Sequence, residues 1–154
     1  FFMLNSTVKL KSYNKFVHEK SGGDLFVAMT PYLTTWKYEP LIGKDRADRG
    51  MRFGDKTIYF EVDKCTEGAR VIDLKLENYM SHADRTGERF YVVFALIGTD
   101  EKVALRGENL TRLFASKKRG NQFLAANHNN LVRHPFGEVL NSPKDGRLSL
   151  NDLE

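Results

Sequence analysis

Apolar positions return along this chain at two spacings, and the switch between them outlines a layered α/β protein. From Ser6 onward, Leu10, Tyr13, Phe16 and Val17 recur at helical intervals among lysines, and Ser21-Gly22-Gly23 follows as a stop signal, so a helix is predicted to end there. Residues 25–29 form a short apolar stretch that suits helix or strand and is interrupted by Pro31. Residues 33–41, rich in Thr, Trp and Tyr and closing on Pro40-Leu41, read as a strand that carries Glu39 near its end. Two β-prone runs, 51–53 and 57–62, flank Gly54-Asp55-Lys56, which predicts an antiparallel hairpin.

The second half is more regular. Over residues 67–79, Ala69, Ile72, Leu76 and Tyr79 share one stripe, the pattern of an amphipathic helix with Thr66 placed to cap it. Residues 90–97 are continuously apolar, aromatic or β-branched, as in a strand covered on both faces, and are predicted to be the central strand. Residues 101–116 read as a helix followed by the basic cluster Lys117-Lys118-Arg119, and 122–126 as a last short strand before a loop-rich remainder. The order helix, three strands, helix, strand, helix predicts an α/β fold with a mixed central sheet flanked by helices.

Composition narrows the chemistry. The 154 residues are enough for a single domain over 1–154 whose core needs no metal or covalent staple. The single cysteine, Cys65, cannot close an internal disulfide or build a multi-cysteine zinc site, which points to an intracellular, cytoplasmic setting. His18, His82, His128 and His134 show no metal-ligand spacing, and no apolar run approaches the roughly 20 residues of a membrane span. The 24 basic against 20 acidic residues give a net charge of +4, too slight an excess to name nucleic acid as a partner.

The feature that carries chemistry is Phe60-Glu61-Val62-Asp63, two acids at i and i+2 at the end of an apolar strand and therefore on one face. Their carboxylates would stand about 6 to 7 Å apart, a repulsion of roughly 2 to 3 kcal/mol at an effective dielectric near 20. A divalent cation, a neighbouring Lys or Arg, or a raised pKa on one acid would offset it. Asp48 precedes Glu61 by 13 residues, so the hairpin turning at residues 54–56 would bring it beside Glu61. Oxygen ligands from Asp48, Glu61 and Asp63 suit Mg²⁺ or Mn²⁺, which can activate water at a phosphodiester. Lys75 is either a surface lysine paired with nearby acids or a cation reaching this site. Arg112 with Lys117, Lys118 and Arg119 is the best candidate for phosphate contact. Thr66, at the strand-to-helix junction, could turn amides toward a phosphate.

Trp36-Lys37-Tyr38-Glu39, Asp48, the run from Tyr59 through Phe60-Glu61-Val62-Asp63-Lys64-Cys65-Thr66-Glu67, and Lys75 with Tyr79 together resemble the replication-relaxation family of plasmids and other mobile elements. Residues 90–96 resemble its next strand. Residues 121–150, with His134-Pro135-Phe136-Gly137-Glu138-Val139 and a final Ser-Leu, resemble its closing segment. That family is placed in the PD-(D/E)XK nuclease superfamily, whose core is helix, three strands, helix, strand. The resemblance implies a metal-dependent DNA endonuclease or nickase acting in plasmid replication or transfer. Asp48 would be the hairpin aspartate, Glu61 the second metal ligand, Asp63 the third strand residue, Glu39 the upstream acid and Lys75 the helix lysine. It also implies DNA as the partner and a winged helix domain upstream of this segment; the short apolar runs predict no membrane association, and a homodimer is among the assemblies allowed. The chain departs from the family pattern at Ala47 for proline, at Lys64-Cys65 for Arg-Gly, and at Asp63 in place of the superfamily's strand lysine. The alternative is a nuclease-fold module without catalysis that holds DNA or protein to control replication.

Overall fold

The computed structural model describes residues 13–30 and 35–153. Residues 6–12, where the first helix was predicted to begin, and residues 33 and 34 of the predicted strand lie outside them.

Helix α1 (Tyr13–Met29) does not stop at Ser21-Gly22-Gly23 but runs through it. The glycine there serves packing rather than termination: the Arg49 guanidinium lies against the helix, and a Cβ on Gly22 would stand 2.5 Å from its Cζ. The ambiguous stretch 25–29 is thereby helical, with Leu25 and Met29, one turn apart, fully buried on the same side.

The predicted strand 33–41 is broken. Its strand portion within the described residues is β1 (Trp36–Tyr38), and Glu39 then takes a left-handed turn at φ 43°. Leu41–Ile42 (β2) pairs instead with Asp45–Arg46 (β3) in a small side hairpin around Gly43, whose φ of 59° favours glycine. The expected hairpin is present as β4 (Arg49–Phe53) and β5 (Lys56–Asp63), turning through Gly54 at φ 61°.

Helix α2 (Ala69–Thr86) is longer than the predicted 67–79 and is capped by Gly68, without a side-chain bond, rather than by Thr66. After it come β6 (Phe90–Leu96), α3 (Asp100–Ala115) and β7 (Phe123–Asn127). The remainder is more structured than its composition suggests. It holds α4 (His128–Arg133), β8 (Leu140–Ser142), β9 (Gly146–Leu148) and a closing 3₁₀ turn, Leu150–Asp152, fixed by a reciprocal Ser149–Asp152 capping box. The buried Lys56 ammonium ties this end down through a 2.9 Å bond to the Leu153 carbonyl.

The main sheet runs β1-β4-β5-β6-β7-β8-β9, antiparallel through β1-β4-β5, parallel through β5-β6-β7, then antiparallel again. The predicted central strand, β6, is its middle member. The molecule is thus α/β with a mixed central sheet flanked by helices, one core lying under α2 and α3 and the other under α1 and α4. Strand β5 is interior, every residue buried, so its two acids do not sit on a solvated edge. Among the described residues no helix is long and apolar enough to cross a membrane.

Candidate active site

Pairing in β4–β5 ends with Arg49 opposite Phe60, and Asp48 sits in the bend one step beyond that pair. It is close enough there for its charge to act on Glu61. Asp48 Oδ2 accepts a 2.7 Å bond from the Val62 amide, and His18 Nδ1 of α1 lies 3.7 Å from the same oxygen. Asp48 is partly exposed, whereas Glu61 is only 3% exposed.

Glu61 lies on the α2 side of the sheet, where alternation also places Tyr59 and Asp63. Lys75 and Tyr79, four residues apart on α2, share the helix face that meets it. Tyr79 donates to Glu61 Oε1 at 2.6 Å, and the Lys75 ammonium donates to Glu61 Oε2 at 3.2 Å. Lys75 is divided, because it also reaches Glu67 at 3.1 Å.

That sharing shapes the electrostatics. Burial is the main force on Glu61 and pushes its carboxyl up to about 7; Lys75 opposes this, nearby Asp48 adds to it, and the Tyr79 bond offsets a little. For Lys75 burial works against the charge, but the pull of two carboxylates prevails and raises its pKa. One ammonium serving two acids holds its proton firmly, while a buried acid served by half an ammonium does not give its own up easily. The Tyr79 hydroxyl is kept protonated by burial first and by the Glu61 charge second.

Asp63 is used differently. Its Oδ1 accepts from the Cys65 amide at 2.7 Å and its Oδ2 from Arg106 Nε of α3 at 2.7 Å. The set Asp48, Glu61 and Asp63 drawn from the sequence is therefore not gathered, since Asp63 is closed into its own ion pair. Among the described residues no three His, Cys, Asp or Glu side chains come together as a metal-binding group. What the hairpin does gather is Asp48 and Glu61, with Glu67 and Lys75 beside them. Three carboxylates face one ammonium, and Arg49, whose Nη1 donates to the Asp48 carbonyl at 2.6 Å, is shared with Glu19, so negative charge stays in excess. Two carboxylate donors, with water completing the shell, fit the oxygen preference of Mg²⁺.

The remaining candidates lie elsewhere. Glu39 is exposed; its amide donates to the Asp48 carbonyl at 3.2 Å, so it stands near the site through backbone alone. Thr66 is exposed at the junction. The Cys65 thiol is pushed up by burial and then by the Asp63 charge, which keeps it protonated and unsuited to be a nucleophile.

The basic cluster is largely occupied. Lys117 bonds Asp73 and, at 3.0 Å, Glu77, while Arg119 holds Asp84 at 2.6 Å. Lys118 adds its charge near Asp84, lowering that carboxyl after the stronger effect of the Arg119 bond. Arg112 is exposed on α3, with Asn109 at 3.5 Å as its hydrogen-bond partner among the described residues.

Two further residues belong to the cluster. Tyr79 falls on the core stripe of α2, and its place one turn after Lys75, part of the family pattern, is the signal of a shared face. Arg106, whose Nη2 is buried without a partner, carries no such signal, because only tertiary packing brings α3 to the end of β5. No protein-family model, curated protein or solved structure matches the chain.

Proposed function

We propose that this protein is a metal-dependent phosphodiester hydrolase acting on DNA, with Asp48 and Glu61 as the cation-holding acids and Lys75 as the positive group beside them. The observation that carries the reading is the end of the β4–β5 hairpin, where Asp48, one step beyond the Arg49–Phe60 pair, lies near Glu61 while α2 brings the Lys75 ammonium to 3.2 Å from the buried carboxylate. The topology of the main sheet supports the same reading: a helix, three antiparallel strands (β1, β4 and β5, with the β2–β3 side hairpin inserted after the first), a helix and a strand parallel to β5, an order compatible with the PD-(D/E)XK core. So does Cys65, which takes φ 62° at the position where the replication-relaxation pattern has glycine.

A Mg²⁺ or Mn²⁺ held by these acids would supply charge stabilisation at phosphate and a lowered pKa for attacking water. The chain's own residues do the rest. Tyr79 fixes the orientation of Glu61 by its 2.6 Å bond, and Val62 fixes Asp48 through its amide. Lys75 occupies the functional place of the superfamily's strand lysine, reaching from the helix because Asp63 stands on the strand and is bound to Arg106. The test is nicking of supercoiled plasmid with Mg²⁺ or Mn²⁺. Wild type is expected to nick, and Glu61→Gln, nearly isosteric and uncharged, to lose at least about 100-fold. A folded wild type with no metal-dependent nicking would overturn the reading.

The neutralised Asp63 favours a second reading, a nuclease-fold module that binds without turnover. It expects DNA binding that weakens steeply with salt, as released counterions dictate, and no nicking under any metal.

A further inference from the structure

On the other side of α3 from Arg106 and Asp63, a cleft of about 750 Å³ opens between that helix and the β8–β9 hairpin. Its size is that of a small-molecule site. It begins at the carboxyl ends of the parallel strands, since Leu96 and Asn127, the last residues of β6 and β7, line it. Open α/β sheets hold ligands in the crevice outside such strand ends. It is separate from the acid cluster. One row of paired residues runs Glu61, Phe94, Ala125, Asn141, Arg147, so Arg147 stands four strands, about 19 Å, from Glu61. Phe114 of α3 packs on Phe94 within that row.

Three features fit the cleft to a ligand. Gly107 lies in the interior of α3, where glycine is the weakest ordinary helix former. A Cβ there would meet nothing nearer than Leu96 Cδ1 at 3.8 Å, so packing within the protein does not require the glycine, and its lack of side chain deepens the floor. Arg112 from α3 and Arg147 from β9 line the cleft from two sides. Among the described residues neither side chain forms an ion pair, and the Arg147 guanidinium has no hydrogen bond. Asn141 spends one amide N–H on the Ala125 carbonyl and keeps its oxygen, while Asn127 accepts with its oxygen from the Asn130 amide and keeps its N–H. An acceptor on Asn141 and N–H donors on both asparagines are thus left over an apolar bed that includes Leu96 and Val103.

We propose that this cleft binds a nucleotide-sized molecule bearing a single phosphate, the two guanidiniums taking the phosphate and the Asn127–Asn141 pair the polar edge of its ring. Planar guanidiniums match phosphate oxygens in pairs. Asp100 and Glu108 on the same rim repel a polyanion, which favours one phosphate over an extended nucleic-acid strand.

The test is titration of the whole chain with AMP, CMP, inorganic phosphate and a short oligothymidylate, followed calorimetrically and by amide NMR shifts. A nucleoside monophosphate is expected to bind saturably and more tightly than phosphate, moving signals of α3 and of β8–β9. Arg112→Gln and Arg147→Gln should each weaken it at least about tenfold. Gly107→Leu should block it while the melting temperature holds or rises. The proposal is overturned if neither nucleotide binds, if the double Arg variant binds as wild type, or if the oligothymidylate occupies the cleft and the nucleotides do not compete. Nicking plays no part in these readouts, so the site stands or falls apart from the hydrolase reading.

Discussion

Helix α2 carries two charged clusters that look alike in the sequence and differ in the folded molecule. Toward the sheet, Lys75 meets Glu61 and Glu67, with Asp48 alongside, and negative charge remains in excess around a nearly buried carboxylate. On its outer side, Asp73, Glu77 and Asp84 meet Lys117 and Arg119 from the turn after α3, with Lys118 close to Asp84, so that three acids face three bases and the charges cancel at the surface. The first arrangement strains its own ionisation, because burial lifts the Glu61 carboxyl to about 7. The second asks nothing of burial and leaves the basic turn with little field for a phosphate. A run of like charges shows where charge is; only the partners brought by the fold show whether any is left over.

The largest expected effect tests what fixes the outer cluster. Gly120 follows Arg119 so tightly that a Cβ would lie 2.0 Å from the Phe114 carbonyl oxygen. Gly120→Ala should therefore cost about 3 kcal/mol in denaturant unfolding, as forced overpacking does. A loss below about 1 kcal/mol would mean that the turn adapts and the ion pairs, not the glycine, hold it.

The inner cluster should show itself through pH. The Glu61 carboxyl titrates near its ordinary 4.5 when unfolded and near 7 when folded. Below 4.5 both states hold the proton and the contribution to stability is complete; as pH rises toward 7 the unfolded chain ionises first and stability is lost. The loss should reach up to about 3 kcal/mol by neutral pH. Glu61→Gln should flatten that part of the profile, and parallel curves for the two proteins would remove the buried-carboxylate account.

The smallest effect belongs to the surface. Lys117→Ala should cost about 1 kcal/mol, since its partly covered ammonium serves two exposed carboxylates, Asp73 and Glu77, and leave plasmid nicking unchanged. Nicking that falls with Lys117→Ala would return the basic turn to the DNA-binding surface.

Much of the fold was legible because long apolar patterns survive their context: the β4–β5 hairpin, α2, the middle strand β6, α3 and β7 stand where periodicity puts them. The failures have physical causes. Gly22 looked like a helix stop, but a glycine can equally mark where another side chain, here Arg49, must approach. The strands β8 and β9 have three residues each, too few to show alternation, and they owe their pairing to the edge of β7. At the site, the nearness of Asp48 to Glu61 could be read from the hairpin. The diversion of Asp63 to Arg106 could not, because those residues lie 43 positions apart and only the packing of α3 joins them.

The central claim is that the inner cluster, unlike the outer one, lacks a positive charge and recruits it from solution. Titration of Mn²⁺ followed by electron paramagnetic resonance tests this most directly, on wild type, Glu61→Gln and Asp48→Asn. One bound Mn²⁺ is expected in the wild type, tighter as pH rises through 7 and the Glu61 carboxyl ionises, and weakened at least about tenfold in either variant. Equal Mn²⁺ binding in all three proteins, or none in the wild type, would contradict it.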